Sequence, residues 1–272
     1  MTITVLKRFG ALARPGLVAA TLAVLAVPTA PDAVAKASSV KVDATYRISY
    51  GSLKVGSVDM KTRIDGSRYT LDGSFASGGM ARLFSKTNGK ASGSGQVGQR
   101  SLRPDKFALS YKSGKKKRSR SISFHDGRPT DVVLKPNKKR GKNWVEPRVA
   151  DLEAVLDPLS GIVARGRNGA EVCGRTIRAF DGSMRLDVRM QHSRTKPFRT
   201  KGYRGDAHVC SIRLKPVAGY KKGKSDKEIA AIKRAEAVFV PVNGSDIHQL
   251  VELTVPTSIG EVSARATKLR IK

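Results

Sequence analysis

The two cysteines have the most specific chemistry among the reactive residues of this chain. Cys173 and Cys210 lie in strand-like runs, and neither has a metal ligand or catalytic base at a recognisable spacing. An even number of cysteines in an exported chain predicts a disulfide. We therefore expect a Cys173–Cys210 bond between neighbouring strands, stabilising the fold by about 4 kcal/mol in the chain-entropy account.

The histidines and acidic residues form no recognisable catalytic or metal-binding motif. The histidines are scattered singly, without an H-E-x-x-H pair: His125, His192, His208 and His248. No G-x-S-x-G elbow is present, and no two carboxylates stand out as an acid and base pair. A histidine could still meet a carboxylate in three dimensions, although a surface or packed position is the simpler interpretation. The sequence thus predicts no enzyme, no metal site and no cofactor.

The segment Gly93-Ser94-Gly95-Gln96-Val97-Gly98 has the letters of a dinucleotide fingerprint. That motif needs a preceding strand, a following helix and an acidic residue about 20 positions later. The helix and the acid are not evident, so we assign the segment to a turn or loop rich in small residues.

The chain is strongly basic, with a net charge of +30 and its densest cluster of cations between Lys112 and Arg140. Such a charge constrains the partners of a protein rather than its fold. Nucleic acid is the usual partner of a basic intracellular protein, but no run of interleaved aromatic residues could stack bases. Anionic lipids, lipopolysaccharide phosphates or acidic wall polymers are better candidates, and an arginine-biased genome or selection for solubility is the alternative. We predict an anion-binding patch formed by Lys115, Lys116, Lys117, Arg118, Arg120, Lys138, Lys139 and Arg140.

The N-terminus has the three parts of a secretory signal peptide. Lys7, Arg8 and Arg14 form a positive start, and Leu17–Val27 is an uncharged apolar run. The small residues Ala33-Val34-Ala35 follow as a cleavage site. The apolar run is shorter than the about 20 residues that a membrane-spanning helix needs. The sequence therefore predicts export to the periplasm.

Cleavage at this site leaves one predicted domain. Residues 1–35 are the predicted signal peptide, and residues 36–272 are a single mostly-β periplasmic domain. No later apolar run is long enough to anchor the mature chain, and no Pro- or Gly-rich linker divides it.

Alternation of apolar and polar residues predicts antiparallel strands through most of this domain. The pattern is clear in Tyr46–Tyr50, and in Met184–Met190 after the turn Asp181-Gly182. Two helices are predicted between strands: Arg148–Ala164, kinked at its internal proline, and a short helix that begins with the capping box Ser225–Glu228. The predicted fold is mainly β: a single antiparallel curved sheet, a β-spiral or open barrel, with one or two helices packed against it.

The hairpin strand after Asp181-Gly182 alternates charged with apolar residues. Arg185, Asp187 and Arg189 share one face, which we expect to be solvated or bound to something. A curved sheet could enclose apolar side chains and keep cations at its rim, which suits an amphiphile with an acyl tail and an anionic head. The alternative is that the apolar face packs against the predicted helix Arg148–Ala164.

Several segments together resemble the domain of unknown function 3108 family of exported bacterial proteins. The resemblance covers most of the chain from about residue 44, and it depends on the order and spacing of the segments. They are Tyr46–Gly56, Asp157–Ser160, Cys173, Phe180–Asp187, Cys210 and Pro216–Tyr220. The family implies a long antiparallel sheet curled into a spiral or partial barrel around a helix, similar to periplasmic lipoprotein-carrier folds. Alphaproteobacterial envelope-integrity proteins, which are disulfide-stapled β-spirals, are a looser analogy.

The resemblance brings no catalytic residues, because the family has no agreed activity. We expect a non-catalytic envelope-maintenance protein that contacts anionic lipid, lipopolysaccharide or wall polymer, with room for an acyl chain on the concave face of the sheet. An interaction scaffold for another envelope protein is the alternative, and a hydrolase of envelope polymers is the third candidate. Fold analogy alone does not decide among them.

Overall fold

The computed structural model describes residues 39–79, 82, 86–137, 140–223, 225–242 and 244–272. The predicted signal peptide, residues 1–35, lies outside the described residues, and so do Lys138 and Lys139 of the predicted anion-binding patch. No helix within the described ranges is long and apolar enough to cross a membrane.

The dominant element is one large antiparallel sheet. The strands in chain order are β1 (Val40–Tyr50), β2 (Leu53–Asp65), β3 (Arg68–Ser77), β4 (Thr87–Val97), β5 (Leu102–Ser113), β6 (Lys116–His125), β7 (Arg128–Lys135), β8 (Trp144–Val145), β9 (Val163–Arg165), β10 (Arg175–Phe180), β11 (Arg185–Thr200), β12 (Tyr203–Ala218), β13 (Tyr220–Lys221), β14 (Ala235–Pro241), β15 (Ile247–Thr257) and β16 (Gly260–Ile271). Their order in the sheet is β10-β11-β12-β14-β15-β16-β1-β2-β3-β4-β5-β6-β7, with β9 beside the start of β15. β8 and β13 form a separate small pair. The sheet is open, because β10 and β7, at the two ends of the order, do not pair with each other.

Curvature brings distant strands of this sheet around one core. The largest cluster of buried apolar residues includes Val42 of β1 and Tyr69 of β3 together with Val209 of β12 and Val238 of β14. β3 and β12 are six places apart in the sheet order, so their side chains can share a cluster only if the sheet curls. The predicted curved, open, antiparallel sheet is therefore confirmed.

The predicted hairpin at Asp181-Gly182 is also confirmed. β10 and β11 pair with Ile177 opposite Val188, and Gly182 in the turn has a φ of +90°, which favours glycine because it has no Cβ. The expectation for Arg185 needs correction, since this side chain is 1% exposed. Its Nε donates to the carbonyl oxygen of Asp151 at 2.8 Å, so it binds the protein's own chain rather than solvent.

The predicted helix Arg148–Ala164 is wrong. The segment instead contains two short 3₁₀ turns, Val149–Leu152 and Ser160–Ile162, joined by extended chain. The residue before a proline avoids the helical region, and proline has no N–H to donate, so Pro158 prevents a continuous helix. The extended part pairs with β10 instead: the N–H of Leu156 donates to the carbonyl of Arg178 at 2.9 Å.

Residues 155–162, which we call the interior segment, pack inside the curved sheet. Val155 and Leu156 are buried, each in a different apolar cluster, and Leu159 packs against both the largest cluster and the cluster that contains Val155. The interior segment comes close to β4, because a Cβ on Gly93 would lie 3.6 Å from the side chain of Leu159. The Gly93–Gly98 motif thus lies mostly in a strand that contacts the interior segment, and its assignment to a turn or loop is wrong.

Two short α-helices lie among the described residues, α1 (Gly169–Cys173) and α2 (Ser225–Ala230). α2 is the short helix expected after the capping box, although the side chain of Ser225 lies outside the described part of the chain. Cys173 ends α1 rather than lying in a strand, which corrects that expectation, because Asn168 caps a helix there by accepting the N–H of Glu171. The Cys173–Cys210 disulfide is present, and it attaches α1 to β12.

Candidate anion-binding site

Cations lie at both ends of the sheet, and only some of them have acidic partners. We call the end with the β1–β2, β5–β6 and β15–β16 turns the upper end, and the end with the β2–β3, β6–β7 and β14–β15 turns the lower end. At the lower end, five arginines pair with acids: Arg68–Asp105, Arg103–Asp126, Arg128–Glu153, Arg165–Asp246 and Arg167–Glu171. Other lower-end cations make no salt bridge within the described residues, among them Lys41, Arg100, Lys201, Lys268, Arg270 and Lys272.

At the upper end, many cations make no salt bridge within the described residues. They include Lys54, Lys86, Lys112, Lys115, Lys116, Lys117, Arg118, Lys135, Lys142, Lys221 and Lys222. Some upper-end arginines do have acidic partners: Arg120 pairs with Asp181, Arg140 with Glu146, and Arg185 with Asp187. The densest run of unpaired cations in the sequence, Lys115–Arg118, thus lies at the upper end.

A pocket of about 360 Å³, which we call the basic pocket, opens at this end. β6 and β7 form one wall, residues 136, 137, 140–142 and 144 form another, and the β10–β11 turn and β13 complete it. Its basic lining residues are Arg118, Arg120, Lys135, Arg140, Lys142 and Lys221. None of the described lining residues is acidic, so the pocket is suited to an anion.

The alternation of β6 explains why arginines line this pocket. Side chains of successive strand residues point to opposite faces, so Arg118 and Arg120 continue the inward row that begins with buried Phe124 and Ile122. The apolar core therefore ends at Ile122, and guanidinium groups extend the same row to the rim. Such groups present planar pairs of N–H donors that match phosphate or carboxylate oxygens.

The Arg120 guanidinium is held by an acid that the neighbouring hairpin turn fixes. Asp181 pairs with Arg120 and also accepts the N–H of Ser183 at 2.9 Å and the N–H of Met184 at 2.7 Å. Arg118 has no such partner among the described residues. Its charge is therefore free to attract a ligand, while Arg120 shapes the wall.

Trp144 gives the pocket an apolar surface. The Cζ atom of Arg140 lies 5.5 Å from the centre of the Trp144 ring, in a cation–π contact. The indole Nε1 of Trp144 is buried, so the ring and not its N–H group faces a ligand in the pocket.

The structure divides the predicted anion-binding patch. Arg118, Arg120 and Arg140 line the basic pocket, while Lys117 lies on the outer face of the sheet beside Lys112. Two further members, Lys115 and Lys116, lie at the β5–β6 turn. Sequence reasoning missed Trp144, Lys142 and Lys221. The last of these comes from a distant part of the chain, and nothing in the sequence places it beside β6.

A second group that the sequence did not reveal is a row of three histidines. The ring centres of His192 and His208 lie 5.8 Å apart, and those of His208 and His248 lie 5.4 Å apart. Three of the four histidines, which are scattered singly in the sequence, are therefore neighbours in the fold. Within the described ranges, no group of three or more His, Cys, Asp or Glu residues is arranged to hold a metal ion.

Burial lowers the pKa of both His208 and His248, and in each case a neighbouring histidine adds to the effect. Asp206 opposes the shift of the His208 pKa, and Asp246 opposes that of the His248 pKa. The folded protein therefore favours the neutral rings, whereas an unfolded histidine takes up a proton near pH 6.5.

We predict that stability decreases as the pH falls through about 6.5, because the unfolded chain then binds more protons than the folded chain. The slope of melting temperature against pH should be shallower in the double variant His208→Gln/His248→Gln. His125→Gln is the control, because the side chain of His125 is 83% exposed. Circular dichroism melts across this pH range measure the slopes, and equal slopes for the wild type and the double variant would contradict the prediction.

A buried carboxylate, hydroxyl and phenol meet inside the sheet. Asp157 Oδ1 accepts the N–H groups of Leu159 and Ser160, each at 2.9 Å, and the hydroxyl of Ser160 donates to Asp157 Oδ2 at 2.5 Å. The hydroxyl of Tyr69 lies 2.7 Å from the Ser160 Oγ. Asp157, Ser160 and Tyr69 are each at most 1% exposed. This network is sealed from solvent and holds the Ser160–Ile162 turn against β3, so its geometry is that of a structural element.

Burial raises the pKa of Asp157 above its ordinary value, although hydrogen bonds from Ser160 and Leu159 oppose the shift. Burial likewise raises the pKa of Tyr69, and the nearby charge of Asp157 adds to this effect.

Comparison with known proteins identifies relatives without an assigned activity. A model of the family described as "Protein of unknown function (DUF3108)" matches residues 45–262. No curated protein matches the chain. Among solved structures, the chain is similar to a β-barrel-like protein of domain of unknown function DUF1849 from Brucella abortus, at 10% sequence identity and a TM-score of 0.46. That match covers 86% of this chain and 98% of the other.

Proposed function

Because the chain belongs to the DUF3108 family, whose description assigns no activity, we propose a function from its own surface: binding of an anionic component of the cell envelope, without catalysis. The binding groups are the basic pocket and the unpaired lysines around it, and the protein acts in the periplasm after export. The observation that supports this most directly is the lining of the basic pocket, whose described residues include six cations and no acid.

The anion that suits the basic pocket carries phosphate or carboxylate groups. Arg118 offers a planar pair of N–H donors that matches the oxygens of such groups. Lipid headgroups, lipopolysaccharide phosphates and acidic wall polymers share this chemistry. The packed interior favours contact at the surface over enclosure of an acyl chain, since Val155 and Leu156 fill the inside of the sheet.

We predict that the triple variant Arg118→Gln/Lys135→Gln/Lys142→Gln binds vesicles of phosphatidylcholine and phosphatidylglycerol about 100-fold more weakly at low salt. Each cation near an anionic membrane contributes about 1 kcal/mol, and three such losses correspond to about this factor. Vesicle co-sedimentation measures the binding, and the same loss should appear with soluble polyphosphate.

The matched control removes three cations from the lower end: Arg68→Gln/Arg103→Gln/Arg128→Gln. This variant has the same net charge as the upper-end variant, but its substituted residues are paired with acids. Equal weakening by the two variants would show that total charge, and not the basic pocket, determines binding. Binding of the wild type that does not change with salt would contradict the electrostatic proposal altogether.

A scaffold for another envelope protein is the second candidate, and the open edge of the sheet favours it. β7 pairs with β6 on one side and, among the described strands, has no partner on the other. Val132 and Val133 on this strand are 38% and 37% exposed. An extended segment of a partner could add to this edge as a further strand. A hydrolase has the least support, because the Asp157–Ser160 pair is sealed inside the sheet.

A further inference from the structure

An exposed apolar row lies at the upper end of the sheet, away from β6 and β7. Tyr50 on β1 is directly opposite Leu53 on β2 and Val262 on β16. Residues directly opposite each other on neighbouring strands share a face of the sheet. These three side chains and Ile259, in the β15–β16 turn, are the apolar lip.

The side chains of the apolar lip are exposed to solvent, unlike those of the buried core. Leu53 is 52% exposed, Ile259 79%, Val262 39% and Tyr50 36%. Single exposed apolar residues are ordinary on protein surfaces, but a contiguous group indicates a contact surface. The hydroxyl of Tyr50 donates to the carbonyl of Ile259, which ties the two turns of the lip together.

Cations accompany the lip along the same end of the sheet. Lys86 and Lys115 occupy the next upper-end turns, which meet where the N–H of Gly114 donates to the carbonyl of Lys86 at 3.1 Å. These two lysines make no salt bridge among the described residues. Lys54, next to Leu53 on β2, and the acid Glu261, next to Val262 on β16, both lie on the opposite face of the sheet from the lip, because successive strand residues alternate.

We propose that the apolar lip inserts into the surface of an anionic lipid bilayer while the neighbouring cations contact its phosphates. A bilayer offers both an apolar layer and a dense anionic surface within a few ångströms of each other, which matches the arrangement of the lip and its lysines. A second copy of this chain is disfavoured as the occupant, since each copy has a net charge of +30. The inference rests on the proposed function and names the lipid bilayer as its anionic partner.

The test compares the double variant Leu53→Ser/Ile259→Ser with the matched control Val133→Ser/Val149→Ser. Val149 is 80% exposed, close to the exposure of Ile259, and neither control residue belongs to the lip or to the basic pocket. Partition into phosphatidylcholine and phosphatidylglycerol vesicles is measured at high salt, where the electrostatic contribution is screened. The lip variant should partition about tenfold less than the wild type, because two apolar side chains no longer leave water, and the control should match the wild type.

A second measurement reports insertion directly. Ile259→Cys labelled with an environment-sensitive dye should shift to shorter emission wavelength on the same vesicles, and a label at Val149→Cys should not. Equal partition of lip variant and wild type at high salt, or no spectral shift at position 259, would overturn the inference.

The outcomes also separate this inference from the proposed function. Wild-type protein that binds polyphosphate but not vesicles would leave anion binding in place and overturn membrane insertion. Wild-type protein that binds neither would remove both proposals. The lip substitutions leave all cations unchanged, so they should not alter the affinity for polyphosphate.

Discussion

The double variant Cys173→Ala/Cys210→Ala is expected to lose about 4 kcal/mol of its free energy of unfolding. The disulfide joins residues 37 positions apart, and both cysteines are fully buried. Without the bond, the unfolded chain gains the freedom of that loop, and α1 loses its covalent attachment to β12. A loss of this size corresponds to a melting temperature lower by roughly 10 °C for a chain of this length.

Reduction of the wild type provides the internal control for this prediction. Wild-type protein that is unfolded with a reductant present should show the stability of the double variant, whereas the variant itself should be insensitive to reductant. Urea unfolding under oxidising and reducing conditions measures both. The assignment of a stabilising role would fail if wild type and variant had the same midpoint in the absence of reductant.

Asp157→Ala is expected to destabilise the protein by about 3 kcal/mol, because it leaves buried donors without an acceptor. The wild-type carboxylate accepts from the N–H of Leu159 and from the N–H and hydroxyl of Ser160. Asp157→Asn keeps an oxygen for the two N–H groups and should cost about 1 kcal/mol. Asp131→Ala is the control, since exposed Asp131 makes no salt bridge among the described residues, and it should lie within about 0.5 kcal/mol of the wild type.

The sign of the Asp157 pKa shift adds a pH test to this prediction. Burial raises the pKa of Asp157 in the folded protein, so the neutral carboxyl group is favoured there. Its contribution to stability is therefore complete below the unfolded pKa and is lost as the pH rises through the folded pKa. The difference in unfolding free energy between the wild type and Asp157→Ala should grow as the pH is lowered. A difference that shrinks on acidification would show that the charged form is the one that the fold stabilises.

Strands were predictable where apolar and polar residues alternate along the chain, because one face of such a strand is buried and the other is exposed. Tyr69 and Leu71 on β3 are buried while Thr70 and Asp72 between them are exposed, and this pattern is visible in the sequence. The interior segment could not be read in this way, because it is surrounded by the sheet. Its apolar residues fall near helical spacing without forming a helix, and Pro158 together with pairing to β10 determines its conformation.

The candidate site was predictable only in part, for a related reason. Arg118 and Arg120 belong to the local cluster of cations, so composition revealed them. Lys221 joins the basic pocket, and His192, His208 and His248 form a row, only through the pairing of distant strands. Register between such strands is set by the whole sheet, and a local pattern in one strand carries no information about it.

The length of the strands also separates the electric fields of the two ends of the sheet. β12 has 16 residues and spans about 50 Å, several times the screening length of about 8 Å in physiological salt. The two ends are therefore electrically independent as the protein nears a charged surface. Unpaired cations allow either end to be attracted, but the six cations of the basic pocket lie at the upper end, so only encounters that begin there would place the anion in the pocket. Association would be fast at low ionic strength and would slow progressively as salt screens these cations.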